Sequence, residues 1–158
     1  MFKKFLKIFN RKKPSYLNSI QDLKNDPGII HLFNSINDHT TDSEILFVGG
    51  CVRQNILGDK VEDIDLATNL DPDEVINCLN KNKIKFIDIG KKYGTITAII
   101  EKKKFEITSL RKDIKTDGRH AEVQYCRSWK EDANRRDFTF NSIYSNLNGE
   151  LFDPFNGR

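Results

Sequence analysis

One stretch constrains this chain more than any other: residues 48–68, V-G-G-C-V-R-Q-N-I-L-G-D-K-V-E-D-I-D-L-A-T. The apolar run Ile45–Val48 before it reads as a buried strand that stops at Gly49-Gly50. A glycine pair tolerates positive φ and lets backbone approach a ligand closely. Residues 51–57 then read as a short helix whose free N–H groups point back toward the glycines, an arrangement suited to a polyphosphate, with Arg53 adding a cation one turn in. Gly58 ends the helix, and a second strand is predicted from about Val61. On it Asp63 and Asp65 alternate with Ile64 and Leu66. Side chains at i and i+2 of a strand share a face, with Cα atoms roughly 6.5–7 Å apart, so both carboxylates point into one cleft while Ile64 and Leu66 face a core. Two carboxylates that close repel each other, and a divalent cation between them relieves the repulsion. A lone Gly-Gly is usually only a turn and a lone D-x-D usually a solvated strand edge. Their succession on strand–helix–strand is the layout of Mg²⁺-dependent nucleotidyl transfer.

The whole chain, 158 residues, is long enough for one domain with a real core. No apolar run comes near the eighteen or so residues of a membrane span. Cys51, Cys78 and Cys126 are scattered singly and form no C-x-x-C, so neither a disulfide framework nor a zinc site is predicted, and a reducing, cytoplasmic location fits. His31, His39 and His120 make no metal pattern. The net charge of +3 is uneven. Six of the 26 basic residues, Lys3, Lys4, Lys7, Arg11, Lys12 and Lys13, fall in residues 1–13, which hold no acid; the rest of the chain has 20 basic against 23 acidic residues, a net of −3. That remainder is not a general polyanion-binding surface, and any RNA contact on it must be local.

Residues 1–13 place Phe2, Phe5, Leu6 and Phe9 at helical spacing between the lysines. They read as a basic amphipathic arm for RNA or a membrane surface, as a transit-like segment, or simply as a frayed basic terminus. Pro27-Gly28 splits residues 16–37 into two short scaffold helices. The expected division is therefore 1–38 for arm and scaffold and 39–158 for the catalytic domain. Asp71-Pro72-Asp73-Glu74 and Ser128-Trp129-Lys130-Glu131 each read as a capping box opening a helix. Between them, strands are predicted at 84–89, 95–101 and 105–110, with Lys102-Lys103-Lys104 as a turn. Residues 111–120 read as a polar loop in which Arg111 and Arg119 either meet phosphate or are solvated. Asn148-Gly149 reads as a hairpin turn.

G-G-C-V-R followed by D-I-D-L-A-T, and R-R-D-F-T-F-N-S-I-Y from Arg135 to Tyr144, together resemble the head domain of class II tRNA nucleotidyltransferases (CCA-adding enzymes) and bacterial poly(A) polymerases. Both belong to the DNA polymerase β-like nucleotidyltransferase superfamily. The resemblance covers about residues 44–158. It implies an α+β fold, a mixed and mostly antiparallel sheet of about five strands with helices packed on it. It implies Mg²⁺ (or Mn²⁺) on Asp63 and Asp65, and a third active-site carboxylate on the strand K-F-E-I-T-S-L-R, for which Glu106 is the candidate; an exposed strand glutamate is the alternative. Gly49, Gly50 and Arg53 would bind the nucleotide, as would Arg136 through phosphate and Asp137 and Asn141 through the sugar. Phe138, Phe140 and Ile143 would pack the core, and residues 111–120 would be the family's flexible loop.

The implied activity is template-independent addition of CMP and AMP from CTP and ATP to a tRNA or other RNA 3′ end. Two departures stand out. Gln54 replaces the acid of the family's G-G-x-V-R-D motif, and the D-P-F stretch at Asp153-Pro154-Phe155, where the family passes from head to neck, falls at the end of the chain. Neck, body and tail are thus expected to be missing, making this a fragment or one half of a split enzyme with a separately encoded neck and body. A poly(A) polymerase head and a non-catalytic nucleotide- or RNA-binding remnant are the other readings.

Overall fold

Four consecutive apolar residues with no turn former between them, Ile45–Val48, become β1, and all four are buried. A strand with both faces covered belongs in the middle of a sheet. In the computed structural model, which describes residues 20–59, 61, 63–114, 122–136 and 139–156, β1 lies between two antiparallel neighbours, β2 (Asp65–Thr68) and the two-residue β8 (Tyr144–Ser145). Beyond β2 come β5 (Lys103–Ser109), β4 (Thr95–Ile100) and β3 (Lys85–Ile87); beyond β8 comes β9 (Leu151–Phe152). The order is β3-β4-β5-β2-β1-β8-β9, and every pairing is antiparallel except β2 with β5. The sheet thus has seven strands where about five were predicted, because β8 and β9 are too short to leave a period in the sequence. Their hairpin does turn at Asn148-Gly149, with Gly149 at φ 87°.

Alternation decides what each face carries. Ile45 and Phe47 of β1, Leu66 of β2, Ile96 of β4, and Phe105 and Ile107 of β5 point to the back, where they form one core with α1 (Ile20–Leu23), α2 (Pro27–Asn37) and α4 (Pro72–Lys81). The α1 and α2 helices, separated at Pro27 as the sequence predicts, therefore share the core of the sheet. Leu46 and Val48 of β1 and Ala67 of β2 point to the front, where α5 (Trp129–Asn134) supplies Ala133 and a smaller cluster forms with Tyr144 and Leu110. Helix α3 (Gly50–Ile56) follows β1 directly. No helix among the described residues is long and apolar enough to cross a membrane.

Three local readings need correction. The turn between β4 and β5 is Glu101-Lys102, both at positive φ (48° and 67°), and Lys103 already pairs with Ile100. A two-residue hairpin loop demands left-handed backbone at both positions, a conformation that composition does not announce when no glycine or asparagine fills it. Residues 111–114 are not loop but strand: β6 (Arg111–Ile114) pairs with β7 (Glu122–Tyr125) in a separate ribbon. The Thr-Asp-Gly turn and Arg119 lie outside the described residues, as does the basic segment 1–13. At α5 only half of the expected box forms. Ser128 Oγ accepts from the Glu131 N–H at 3.3 Å, while the Glu131 carboxylate lies 3.8 Å from Lys112.

The box on α4 is complete: the Asp71 carboxylate accepts from the Glu74 N–H and the Glu74 carboxylate from the Asp71 N–H, each at 2.9 Å. Arg127 then donates to both Glu74 oxygens at 2.8 and 3.0 Å. Partial burial alone would raise the Glu74 carboxyl, but the Asp71 N–H and the Arg127 guanidinium outweigh it and hold it below its ordinary value. A carboxyl lowered by folding adds stability above its unfolded pKa and loses it as pH falls through the folded one. Glu74→Gln should therefore lower stability by about 1 kcal/mol at neutral pH, the usual worth of a helix cap. Thermal melts of the variant and the parent should converge by about pH 3.

Candidate active site

The front of the sheet is covered by α5 at one end and open beside it. There a cleft of about 560 Å³ is walled by Gly49, Gly50, Asp65, Thr108, Arg111, Arg135, Arg136 and Asn141. Its floor is the turn from β1 into α3. Gly49 sits at φ 72°, ψ −129°, a conformation that residues with a Cβ avoid. Its N–H donates to the Ile143 carbonyl at 3.2 Å. A Cβ on Gly50 would meet nothing within 4 Å, so its bare backbone faces open space in the cleft. The neighbouring Cys51 thiol is buried and pushed up to about 11, mainly by that burial, which excludes a reactive thiolate at neutral pH.

The acidic side comes from two strands. Asp65 opens β2 and is the direct register partner of Glu106 on β5. The strand begins at Asp65, so Asp63 precedes it instead of lying on it. The predicted alternation still holds: Ile64 and Leu66 are 5% and 0% exposed, and Asp63 and Asp65 face solvent. Only Asp65 of the three lines the cleft. Loss of surrounding water, then the charges of Glu106 and Asp63, push its carboxyl above the usual range, against the opposing pull of Arg136. Glu106 and Asp63 are thus both near enough to oppose the ionisation of Asp65. Among the described residues no three His, Cys, Asp or Glu side chains form a ready-made metal cage. A hard cation that takes one or two carboxylates and completes its shell with water and substrate phosphate suits such a donor set; Mg²⁺ is that kind of ion.

The basic side holds three arginines. Arg136 donates through Nε to Asp132 Oδ2 at 3.1 Å and lies over the Tyr144 ring, 5.7 Å from its centroid. Burial would lower its pKa, but the Asp132 carboxylate and then Tyr144 raise it. Arg111 donates through Nη1 to the Tyr93 carbonyl at 2.9 Å. Burial, and then the Arg135 charge, lower its pKa. Arg135 Nε stands 3.5 Å from Asp113 without the geometry of a hydrogen bond. Both Arg111 and Arg135 keep a buried Nε with no hydrogen-bond partner among the described residues. Guanidinium groups stay charged throughout this range, so one cleft concentrates three cations opposite its carboxylate.

Of the predicted nucleotide residues, Gly49, Gly50, Arg136 and Asn141 are in the cleft wall. Arg53 is not in that wall; its Nη1 donates to Asn141 Oδ1 at 3.3 Å and so reaches the cleft through that amide. Asp137 and Phe138 lie outside the described residues, while Ile143 is buried as expected. Two participants went unread. Arg135 stood in plain view as the first arginine of R-R-D-F-T. Asp132 has no part in the sequence reading, although an acid four residues before an arginine at a helix end is a pairing signal.

The Poly A polymerase head domain family matches residues 45–158. The human mitochondrial CCA tRNA nucleotidyltransferase 1 is 46% identical over 115 residues, which are 72% of this chain and 26% of that protein. The crystal structure of the Bacillus stearothermophilus CCA-adding enzyme in complex with CTP superposes with a TM-score of 0.68 at 34% identity, over 82% of this chain and 30% of that one. A tRNA nucleotidyltransferase complexed with a primer tRNA and an incoming ATP analog gives 0.59 at 29% identity, over 79% and 35%. The chain spans about a quarter of the length of the curated relatives it matches. With the motifs of residues 48–68 and 135–144 meeting in one cleft, the chain belongs to the poly(A) polymerase head domain family, among relatives that are CCA-adding nucleotidyltransferases.

Proposed function

We propose that the chain is the catalytic head of a template-independent RNA nucleotidyltransferase that adds CMP and AMP from CTP and ATP to a tRNA 3′ end, working with neck and body elements that are a further part of the same protein or a separately encoded subunit. The observation that carries this is the opposition, within one cleft, of Asp65 beside Glu106 to Arg111, Arg135 and Arg136 across the bare Gly49-Gly50 turn. In-line nucleotidyl transfer needs anionic ligands for a metal at the reacting phosphorus and cations along the triphosphate, and it needs no protein nucleophile. Structural relatives that hold CTP, or a primer tRNA with an ATP analog, favour the same assignment over a nucleotide-binding remnant. A cytosolic compartment suits the three unpaired cysteines.

In this reading Asp63 and Asp65 hold Mg²⁺ (or Mn²⁺), and Glu106 orients the attacking RNA 3′-hydroxyl. Bound there, the cation would lower the hydroxyl pKa and offset the charge of the leaving pyrophosphate. Arg136, Arg135 and Arg111 neutralise the triphosphate, the bare backbone at Gly50 lets it approach, and Asn141, held by Arg53, together with Asp137 meets the ribose. All of these groups recognise parts that every NTP shares. Discriminating C from A requires hydrogen bonds to base edges, and a site without them rejects the wrong base weakly.

The isolated 158-residue chain should therefore bind ATP and CTP with affinities within about threefold of each other in the presence of Mg²⁺, and should not build C-C-A on a tRNA lacking its 3′ end. Calorimetry and labelled-nucleotide incorporation test both parts. Failure to bind either triphosphate would overturn the reading, and ordered, base-specific addition would move nucleotide selection into the head.

A further inference from the structure

Asp132 is 2% exposed, a carboxylate set among the apolar side chains of the front cluster. Burying a charge there is unfavourable unless its lone pairs are filled, and well-packed apolar residues are often at least as stable in such places. Two of the three groups that donate to its carboxylate belong to residues of the cleft wall, Arg111 and Arg136. Oδ2 accepts from the Tyr144 hydroxyl at 2.8 Å and from Arg136 Nε at 3.1 Å, and Oδ1 accepts from the Arg111 backbone N–H at 3.2 Å.

The backbone explains why such a clamp is needed. The last residue of α5 is Asn134, and Arg136 is held to the helix end by one 3.2 Å hydrogen bond from its N–H to the Ala133 carbonyl. A long side chain leaving a fraying helix end samples many rotamers, and holding it in one lowers the entropy lost on binding a ligand. Arg111 begins β6 and is attached to the same carboxylate through its own main chain.

We propose that Asp132, braced by the Tyr144 hydroxyl, is a positioning residue for triphosphate recognition, fixing the Arg136 guanidinium and the Arg111 backbone so that both cations enter one cleft. The proposal rests on reading that cleft as a triphosphate site. It makes a prediction opposite in sign to that of charge alone. As a negative charge near the phosphates, Asp132 repels them, so its removal would tighten binding if electrostatics through space were all that mattered. Asparagine has a single acceptor oxygen, which cannot serve the Arg111 N–H on one side and Arg136 with Tyr144 on the other. Loss of positioning weakens binding.

The test is calorimetric titration of the full chain with ATP and Mg²⁺, and with adenosine as the phosphate-free control, for Asp132→Asn, Tyr144→Phe, Arg136→Ala and Asp132→Asn/Arg136→Ala, each checked by thermal melt. Asp132→Asn should bind ATP about tenfold more weakly and adenosine unchanged, and in the Arg136→Ala background the same change should matter less, by about threefold, the remainder acting through Arg111; such non-additivity is the signature of coupled residues. ATP binding by Asp132→Asn that equals or exceeds the parent, while Arg136→Ala weakens it, would overturn the positioning role alone. Unchanged binding by Arg136→Ala would instead overturn Arg136 as a phosphate ligand, and the proposal with it. Should Asp132→Asn fail to fold, Tyr144→Phe decides: a twofold to fivefold weakening in a folded protein, roughly what one neutral hydrogen bond is worth, supports the clamp, and an unchanged affinity refutes it.

Discussion

Asp65→Asn should abolish the Mg²⁺-dependent tightening of ATP binding and, in the same protein, raise the melting temperature. The first effect follows from the metal-holding role proposed for the Asp65 carboxylate. Loss of an outer-shell partner already weakens metal sites by about 10–100-fold, and loss of a ligand itself should exceed that. The second follows from the raised carboxyl at Asp65, caused by burial and then by Glu106 and Asp63. A carboxyl whose folded pKa lies above its unfolded 3.8 binds more protons when folded, so stability falls as pH rises from 3.8 through the folded value. Above that folded value the folded state carries the penalty in full. Asparagine removes it, and the gain in melting temperature over the parent should disappear in acid. Titration of ATP with and without Mg²⁺, and melts across pH, measure both effects. A variant that kept its Mg²⁺ response would remove Asp65 from the metal site, and one that melted no higher would show that the carboxyl is not strained.

Phe47→Ala should be the most damaging single change to stability, by about 3–5 kcal/mol. Phe47 is 0% exposed, in the central strand, with its ring 5.0 Å from that of Phe33 on α2. Truncation would open a cavity between sheet and helix that rigid backbone on both sides cannot close. Since small domains are stable by about 5–15 kcal/mol in all, a denaturant midpoint should fall by about a fifth of its value or more. Phe47→Leu, which fills most of the space, should recover over half of the loss. Equal losses for both variants would mean that the aromatic contact matters more than the volume.

What could be read beforehand depended on how local each signal was. The glycine turn, the alternating Asp63-Ile64-Asp65-Leu66 and the Asp71–Glu74 cap are written in adjacent residues, and the structure places them as their chemistry requires. The strand start was misplaced because alternation of burial continues through residues that make no ladder bonds, so Asp63 keeps its facing without belonging to β2. Strands of two residues have no period, which hid β8 and β9. Glu106 was identified from family resemblance alone; only the register of β5 against β2 shows it beside Asp65. Arg135 and Arg111 share a cleft because β6 packs on α5, a tertiary fact. For Asp132 only the i, i+4 spacing to Arg136 is local; its ties to Arg111 and Tyr144 are made by the fold alone.

The single parallel pairing among the described residues sets Asp65 on β2 beside Glu106 on β5, 41 positions apart. A parallel neighbour cannot be reached by a hairpin, so the chain must first run through α4, β3 and β4 before β5 can dock. Closing so long a loop is unfavourable until that excursion is itself folded. The two carboxylates therefore meet late on the folding route, and a chain emerging from synthesis cannot set Asp65 beside Glu106 until Ser109 has cleared the ribosome. Local openings that peel β5 from β2 would dismantle the acidic side of the cleft while leaving the Gly49-Gly50 turn and α3 in place. In the proposed reading, such a partly open molecule keeps Arg135 and Arg136 for phosphate but lacks the acidic pair that the transfer needs.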